Sequence, residues 1–180
     1  MNTLQQQYNE KIRNELKTAL GAKNIMEVPQ LKKIVVNMGV RDAVMDKKNI
    51  ERATGVLATI TGQKPRVAKA RKSIAGFKLR EGDAIGLTVT LRGDRMYAFF
   101  DKLVSIVLPR LRDFHGVKQT SFDPQGNYTL GMAEYAVFPE IDPAEGAEKM
   151  QGLEISLVTS AANKEGGYAL LKALGMPFEH

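Results

Sequence analysis

The stretch IGLTVTLR, from Ile85 to Arg92, sets Ile85, Leu87, Val89 and Leu91 against Gly86, Thr88, Thr90 and Arg92. Successive side chains of an extended chain point to opposite faces, so this period of two predicts a strand with one buried and one polar face. Upstream, LKKIVVNM (Leu31–Met38) repeats the pattern, with Ile34, Val36 and Met38 alternating with Lys33, Val35 and Asn37. That strand has a polar, cationic face. Downstream, LEISLVT (Leu153–Thr159) supplies another alternating strand.

Around these strands the apolar period lengthens. Leu4, Tyr8, Ile12, Leu16 and Leu20 recur at every fourth position and predict a helix over 3–20, with Gly21 at its C-terminal cap. Asp46 caps a second helix whose stripe is Ile50, Ala53, Leu57 and Ile60 and whose terminator is Gly62. A third helix begins near Asp94 and carries Phe100, Leu103, Val104, Val107 and Leu111, with Pro109 expected to kink or end it. Phe99 and Phe100 read as core and not as a base-stacking platform. Asn163 caps a closing helix that reaches Leu174 and stops at Gly175, before Pro177. DPQGNY (Asp123–Tyr128) reads as a turn or hairpin and DPAEG (Asp142–Gly146) as a turn. Helices and strands interleave without the regular spacing of a doubly wound fold. The expectation is one α+β domain over residues 1–180, with a largely antiparallel sheet covered by helices on one side.

Charge is segregated along the chain. No acidic residue occurs from Arg52 to Arg80, and seven cations fall between Lys64 and Arg80. Residues 1–118 hold 23 Lys and Arg against 11 Asp and Glu, a net +12, whereas residues 119–180 hold 3 against 9, a net −6, together the total of +6. Cations this dense repel one another unless phosphates or counterions sit between them, so a polyanion is the expected partner of the basic portion. Within that portion, residues 69–83 (KARKSIAGFKLREGD) show no sustained periodicity. A loop this long inside a compact domain is uncommon and usually functional or disordered, and it is expected to protrude as a basic hairpin.

Catalytic chemistry finds no constellation. With no cysteine, disulfides, thiolate metal sites and thiol nucleophiles are excluded. The two histidines, His115 and His180, cannot build a triad or a His-rich metal site, and no phosphate-loop, dinucleotide or nucleophile-elbow motif occurs. Glu140, Asp142, Glu145 and Glu148 match no ion-binding loop and read as a solvated acidic turn. The expectation is a cytoplasmic protein with no enzymatic activity, no cofactor, no metal and no membrane partner: no run approaches the length of a membrane span, and the amino end has no apolar signal core.

A set of phrases then carries a resemblance: NMGV (Asn37–Val40), GQKP (Gly62–Pro65), KARKSIAGFKLREG (Lys69–Gly82), TLRGDRMYAFFDKL (Thr90–Leu103), LPRLRDFHG (Leu108–Gly116), SFDPQGNYTLG (Ser121–Gly131), FPEID (Phe138–Asp142) and GMPF (Gly175–Phe178). In this order they resemble the bacterial large-subunit ribosomal protein family that carries 5S rRNA, over essentially the whole chain. The resemblance implies a place in the central protuberance among other large-subunit proteins, with contacts to 5S rRNA and 23S rRNA. It also implies contact with the peptidyl-site tRNA through the basic loop and a bridge to a small-subunit head protein. Positions matching the family's 5S rRNA surface are Asn37, Gln63 and Thr90, whose amides and hydroxyl suit ribose 2′-hydroxyls, phosphates and base edges. Lys33 and Arg92 fall on the same strand faces and supply charge. The tRNA-facing loop residues are Lys69, Arg71, Lys72, Ser73, Phe77, Lys78 and Arg80. Phe77 either stacks on a base or ribose or anchors the loop to the core. The chain departs from the family pattern at Arg41, at Asp83-Ala84 and in its final FEH, which lacks the cations of relatives.

Overall fold

The computed structural model describes residues 3–40, 43, 46, 48–112, 114–141 and 151–179. Five strands, β1 (Leu31–Gly39), β2 (Arg66–Lys69), β3 (Ala84–Leu91), β4 (Tyr128–Met132) and β5 (Leu153–Thr159), form one sheet in the order β2-β3-β1-β5-β4. With its helices this is the expected α+β, antiparallel architecture. Helix α1 runs through Thr3–Gln7, a π turn at Tyr8–Ile12 and Arg13–Ala19; α2 is Lys48–Thr61. Helix α3 is Gly93–Lys102, continued by a π turn (Leu103–Val107) and Leu108–Arg110; α4 is Lys164–Ala173.

The chain divides into two compact units. One takes residues up to Ile34, Leu91–Leu130 and Ser156 onward; the other takes Val35–Thr90 and Gly131–Ile155. In the first unit α1 buries Tyr8, Ile12 and Leu16, but Leu20, the last member of the expected stripe, stays 38% exposed. A strict every-fourth stripe drifts about 40° per step around an ideal α-helix. The π turn, wider by one residue, takes up part of that drift. Gly21 then leaves the helix at φ +63, in the left-handed region a C-terminal cap requires. Pro109 follows the second π turn, and α3 ends at Arg110 with Leu111 extended. Phe99 and Phe100 are core, at 3% and 0% exposure. The Asp123 turn forms as expected: its carboxylate accepts from the Asn127 N–H at 2.7 Å and its carbonyl from Gly126 N at 3.1 Å. Asn163 caps α4 by accepting from Gly166 N at 2.9 Å.

In the second unit Asp46 accepts from the Lys48 N–H at 2.9 Å, and α2 buries Ile50, Ala53, Leu57 and Ile60 before Gly62 turns out at φ +65. The alternation of β1 is clean, with Val36 and Met38 fully buried between half-buried Val35 and Asn37. Strand β3 departs from expectation at one end. Its antiparallel register with β2 pairs Arg66 with Thr88, Val67 with Leu87 and Ala68 with Gly86, then jumps to Lys69 with Ala84. Ile85 is the residue passed over, and this irregularity leaves it half-buried where the sequence pattern predicts a core residue. Gly86 is buried instead, and a Cβ there would lie 3.1 Å from the Met38 carbonyl oxygen of β1. Arg41, Asp142, Glu145, Glu148, His180 and the DPAEG turn lie outside the described residues.

Candidate nucleic-acid interface

Burying the apolar face of a sheet leaves the alternate positions turned away from the core. In the second unit those positions are Val35 and Asn37 on β1, Thr88 and Thr90 on β3, Arg66 on β2 and Glu154 on β5, all half-buried or exposed. Gln63 reaches this group from the end of α2. The Thr61 hydroxyl donates to the Leu57 carbonyl at 2.7 Å and accepts from Gln63 N at 3.4 Å, so the chain leaving the helix is held where Gly62 redirects it. The Gln63 amide then donates to the Thr90 carbonyl at 3.3 Å, joining two of the expected residues directly.

Asn37 is held differently. Its Nδ2 donates to Glu154 Oε2 at 3.2 Å, and its Oδ1 accepts from the Thr88 hydroxyl at 3.1 Å. The result is a line of polar side chains across β3, β1 and β5. Lys33 and Arg92 belong to the other unit. Lys33 is half-buried on β1, in phase with Asn37, and Arg92 is exposed at the start of α3. Sequence reasoning missed Arg66, Thr88 and Glu154. The signal for Thr88 and Glu154 was present, because each shares the polar phase of a strand correctly read. Arg66 required knowing that RVAK is a strand.

The basic segment is more ordered than an aperiodic loop. Its arms join through Ala70 N to the Asp83 carbonyl (2.8 Å) and Gly82 N to the Ala70 carbonyl (3.0 Å), and further out Ile74 N and Leu79 N each bond across the pair, to Leu79 O and Ile74 O. The Ser73 hydroxyl accepts from Glu81 N at 2.9 Å and the Asp83 carboxylate from Arg80 N at 2.9 Å. Ser73 thus braces the hairpin, and Asp83 caps a turn. Ala75–Phe77 forms a 3₁₀ turn that ends at Lys78, whose φ of +53 is unusual outside glycine. Lys69, Arg71, Lys72, Ser73, Lys78 and Arg80 are exposed, and Phe77 is 70% exposed, so it does not anchor the loop to the core.

Among the described residues no group of three or more His, Asp or Glu side chains is placed to hold a metal, and no helix is long and apolar enough to cross a membrane. Among the described residues, the ionisable groups with displaced titration are buried tyrosines. Burial, and then the neighbouring Tyr97, push Tyr8 up to about 12, and burial raises Tyr97 and Tyr128 as well. Tyr8 donates its hydroxyl to the Pro29 carbonyl at 2.8 Å. These are structural groups within the first unit and not acid–base machinery.

An α+β scaffold that turns hydrogen-bonding side chains and exposed cations outward is built to bind, and comparison with known proteins gives the class: a ribosomal protein. Residues 24–80 match the family described as ribosomal protein L5, and residues 84–178 match the model of that family's C-terminus. The chain belongs to the ribosomal protein L5 family, a structural and non-enzymatic one. It is 57% identical over 175 residues to the large ribosomal subunit protein uL5 of Anaeromyxobacter sp. (strain Fw109-5), covering 97% of both chains. To the protein of the same name from Moorella thermoacetica it is 54% identical over 181 residues, covering all of both, and to that of Streptococcus pyogenes serotype M49 it is 55% identical over 177, covering 98% of both.

Proposed function

We propose that this chain is a structural constituent of the large ribosomal subunit that holds 5S rRNA through the polar face of its sheet. The observation that carries the reading is the meeting of Gln63 with Thr90, beside an Asn37 whose amide lies on an outward-turned strand position. Each leaves donor or acceptor capacity free for ribose hydroxyls and base edges. Arg66 contributes phosphate contacts beside these residues, and Lys33 and Arg92 contribute theirs from the other unit. In this reading 23S rRNA and other proteins of the central protuberance surround the bound 5S rRNA. The hairpin of Lys69, Arg71, Lys72, Ser73, Phe77, Lys78 and Arg80 reaches the peptidyl-site tRNA, and a bridge joins the chain to a small-subunit head protein. Exposed cations around an exposed aromatic support the tRNA contact, because base stacking is worth roughly 1–3 kcal/mol and tolerates any base.

The test is binding of the full chain to 5S rRNA across a salt series. With about five phosphates neutralised, log affinity falls against log salt with a slope of roughly −3.5 to −4.5. A flat response, or equal affinity for an unrelated hairpin RNA at physiological salt, overturns the reading. In cells the protein is expected to remain with ribosomes through a high-salt wash.

A further inference from the structure

Glu154 is an anomaly on a surface read as RNA-binding: an exposed carboxylate on β5, in hydrogen-bond contact with Asn37. Electrostatics alone makes it a liability, since it faces the same polyanion that the cations attract. The bonds around Asn37 give it a purpose. A carboxamide has two ends that differ only in donor and acceptor character, and nothing in its own shape decides which way it points. Here both ends are dictated. An ionised carboxylate only accepts, so the Asn37 NH₂ must face Glu154 Oε2, at 3.2 Å. The Thr88 hydroxyl donates to the Asn37 oxygen from the other side, at 3.1 Å.

We infer that Glu154 is a positioning residue for RNA recognition: by fixing the Asn37 amide in one of its two flips, it presents that residue's remaining N–H and carbonyl lone pair in a single arrangement. This rests on the reading that the strand face binds 5S rRNA. Thr88 alone is a weak determinant, because a hydroxyl can rotate to accept from an NH₂ as readily as it donates to an oxygen. Glu154 removes that freedom and fixes the direction of the Thr88 proton as well. The ordering of the amide is completed before RNA arrives and is not charged against binding.

The test compares Glu154→Ala, Glu154→Gln and Asn37→Ala in the full chain, each titrated with a 5S rRNA transcript at fixed salt, with thermal unfolding as the folding control. If Glu154 acted only through its charge, both Glu154 variants would bind more tightly. The positioning role has the opposite sign: Glu154→Ala weakens binding roughly three- to ten-fold, the scale of one oriented hydrogen bond. Glu154→Gln also removes the charge, and its amide, like the Thr88 hydroxyl, donates as readily as it accepts, so it leaves the flip undecided and weakens binding as well. In an Asn37→Ala background, Glu154→Ala has no further weakening effect, since there is nothing left to orient. Tighter or unchanged binding by Glu154→Ala, in a series where Asn37→Ala does lose affinity, overturns this inference and leaves the strand-face site standing. Unchanged binding by Asn37→Ala overturns the site itself, and the inference with it.

Discussion

In the proposed interface, Asn37, Gln63 and Thr90 would offer RNA only the polar atoms that their neighbours leave free. Gln63 spends an N–H on the Thr90 carbonyl, a backbone group that survives any change of the Thr90 side chain. Thr90→Ala therefore removes a hydroxyl from the exposed face without orphaning a partner. Alanine at each of the three positions is expected to weaken 5S rRNA binding by about 1 kcal/mol or more per lost bond while thermal unfolding moves little. Loss of stability with retained affinity would make these residues structural. Tyr8 is the contrasting case, a polar atom serving only the fold. Its folded pKa of about 12 lies above the ordinary 10, so the stability contributed by the neutral phenol is complete below pH 10 and is lost as pH rises through 12. Tyr8→Phe should cost about 1 kcal/mol near neutrality, from the unpaired Pro29 carbonyl. It should also reduce the alkaline loss of stability between those two pH values, read from unfolding midpoints.

At the scale of elements, the stripe of α2 and the alternation of β1 and β5 were legible because each buries one face over several turns or residues, and α4 was legible from its Asn163 cap and its Gly175 terminator. Strand β2 was not. Arg66–Lys69 sits at the edge of the sheet with three of its four residues exposed, so it has no buried face to leave a period. Strand β4 is short and carries Gly131 in an interrupted pattern, which hid it beside a turn that was read correctly. The π turns leave no compositional mark. The basic segment stood out in the sequence by its charge, but its bracing by Ser73 and Asp83 depends on bonds across the pair that no local pattern encodes. Those bonds use backbone groups and two uncharged or acidic side chains, so neutralising Arg71, Lys72, Lys78 and Arg80 together should leave the arm folded. Most 5S rRNA affinity is then expected to persist and the variant to assemble into large subunits. Peptidyl-site tRNA on such ribosomes should dissociate faster, or the reading frame should be lost more often. Abolished 5S rRNA binding with normal tRNA behaviour would place the arm in the 5S surface instead.

For the whole molecule, the linear charge map and the spatial map do not coincide. The +12 portion ends at Lys118, yet the first unit draws on residues up to Ile34, on Leu91–Leu130 and on everything from Ser156, while the second needs Gly131–Ile155. A fragment ending at Lys118 lacks segments of both units, including β5, the sheet neighbour of β1. Such a fragment should show no cooperative thermal transition, even though it holds 23 of the 26 cations and α1 through α3; a sharp transition would mean that the basic portion folds alone. Synthesis turns this interleaving into an order in time. At about 5–20 residues per second, the 62 residues after Lys118 take several seconds to follow it out of the ribosome. Throughout that interval the nascent chain is a polycation without its completing strands, in a compartment crowded with RNA, and nonspecific association has a head start over the specific surface.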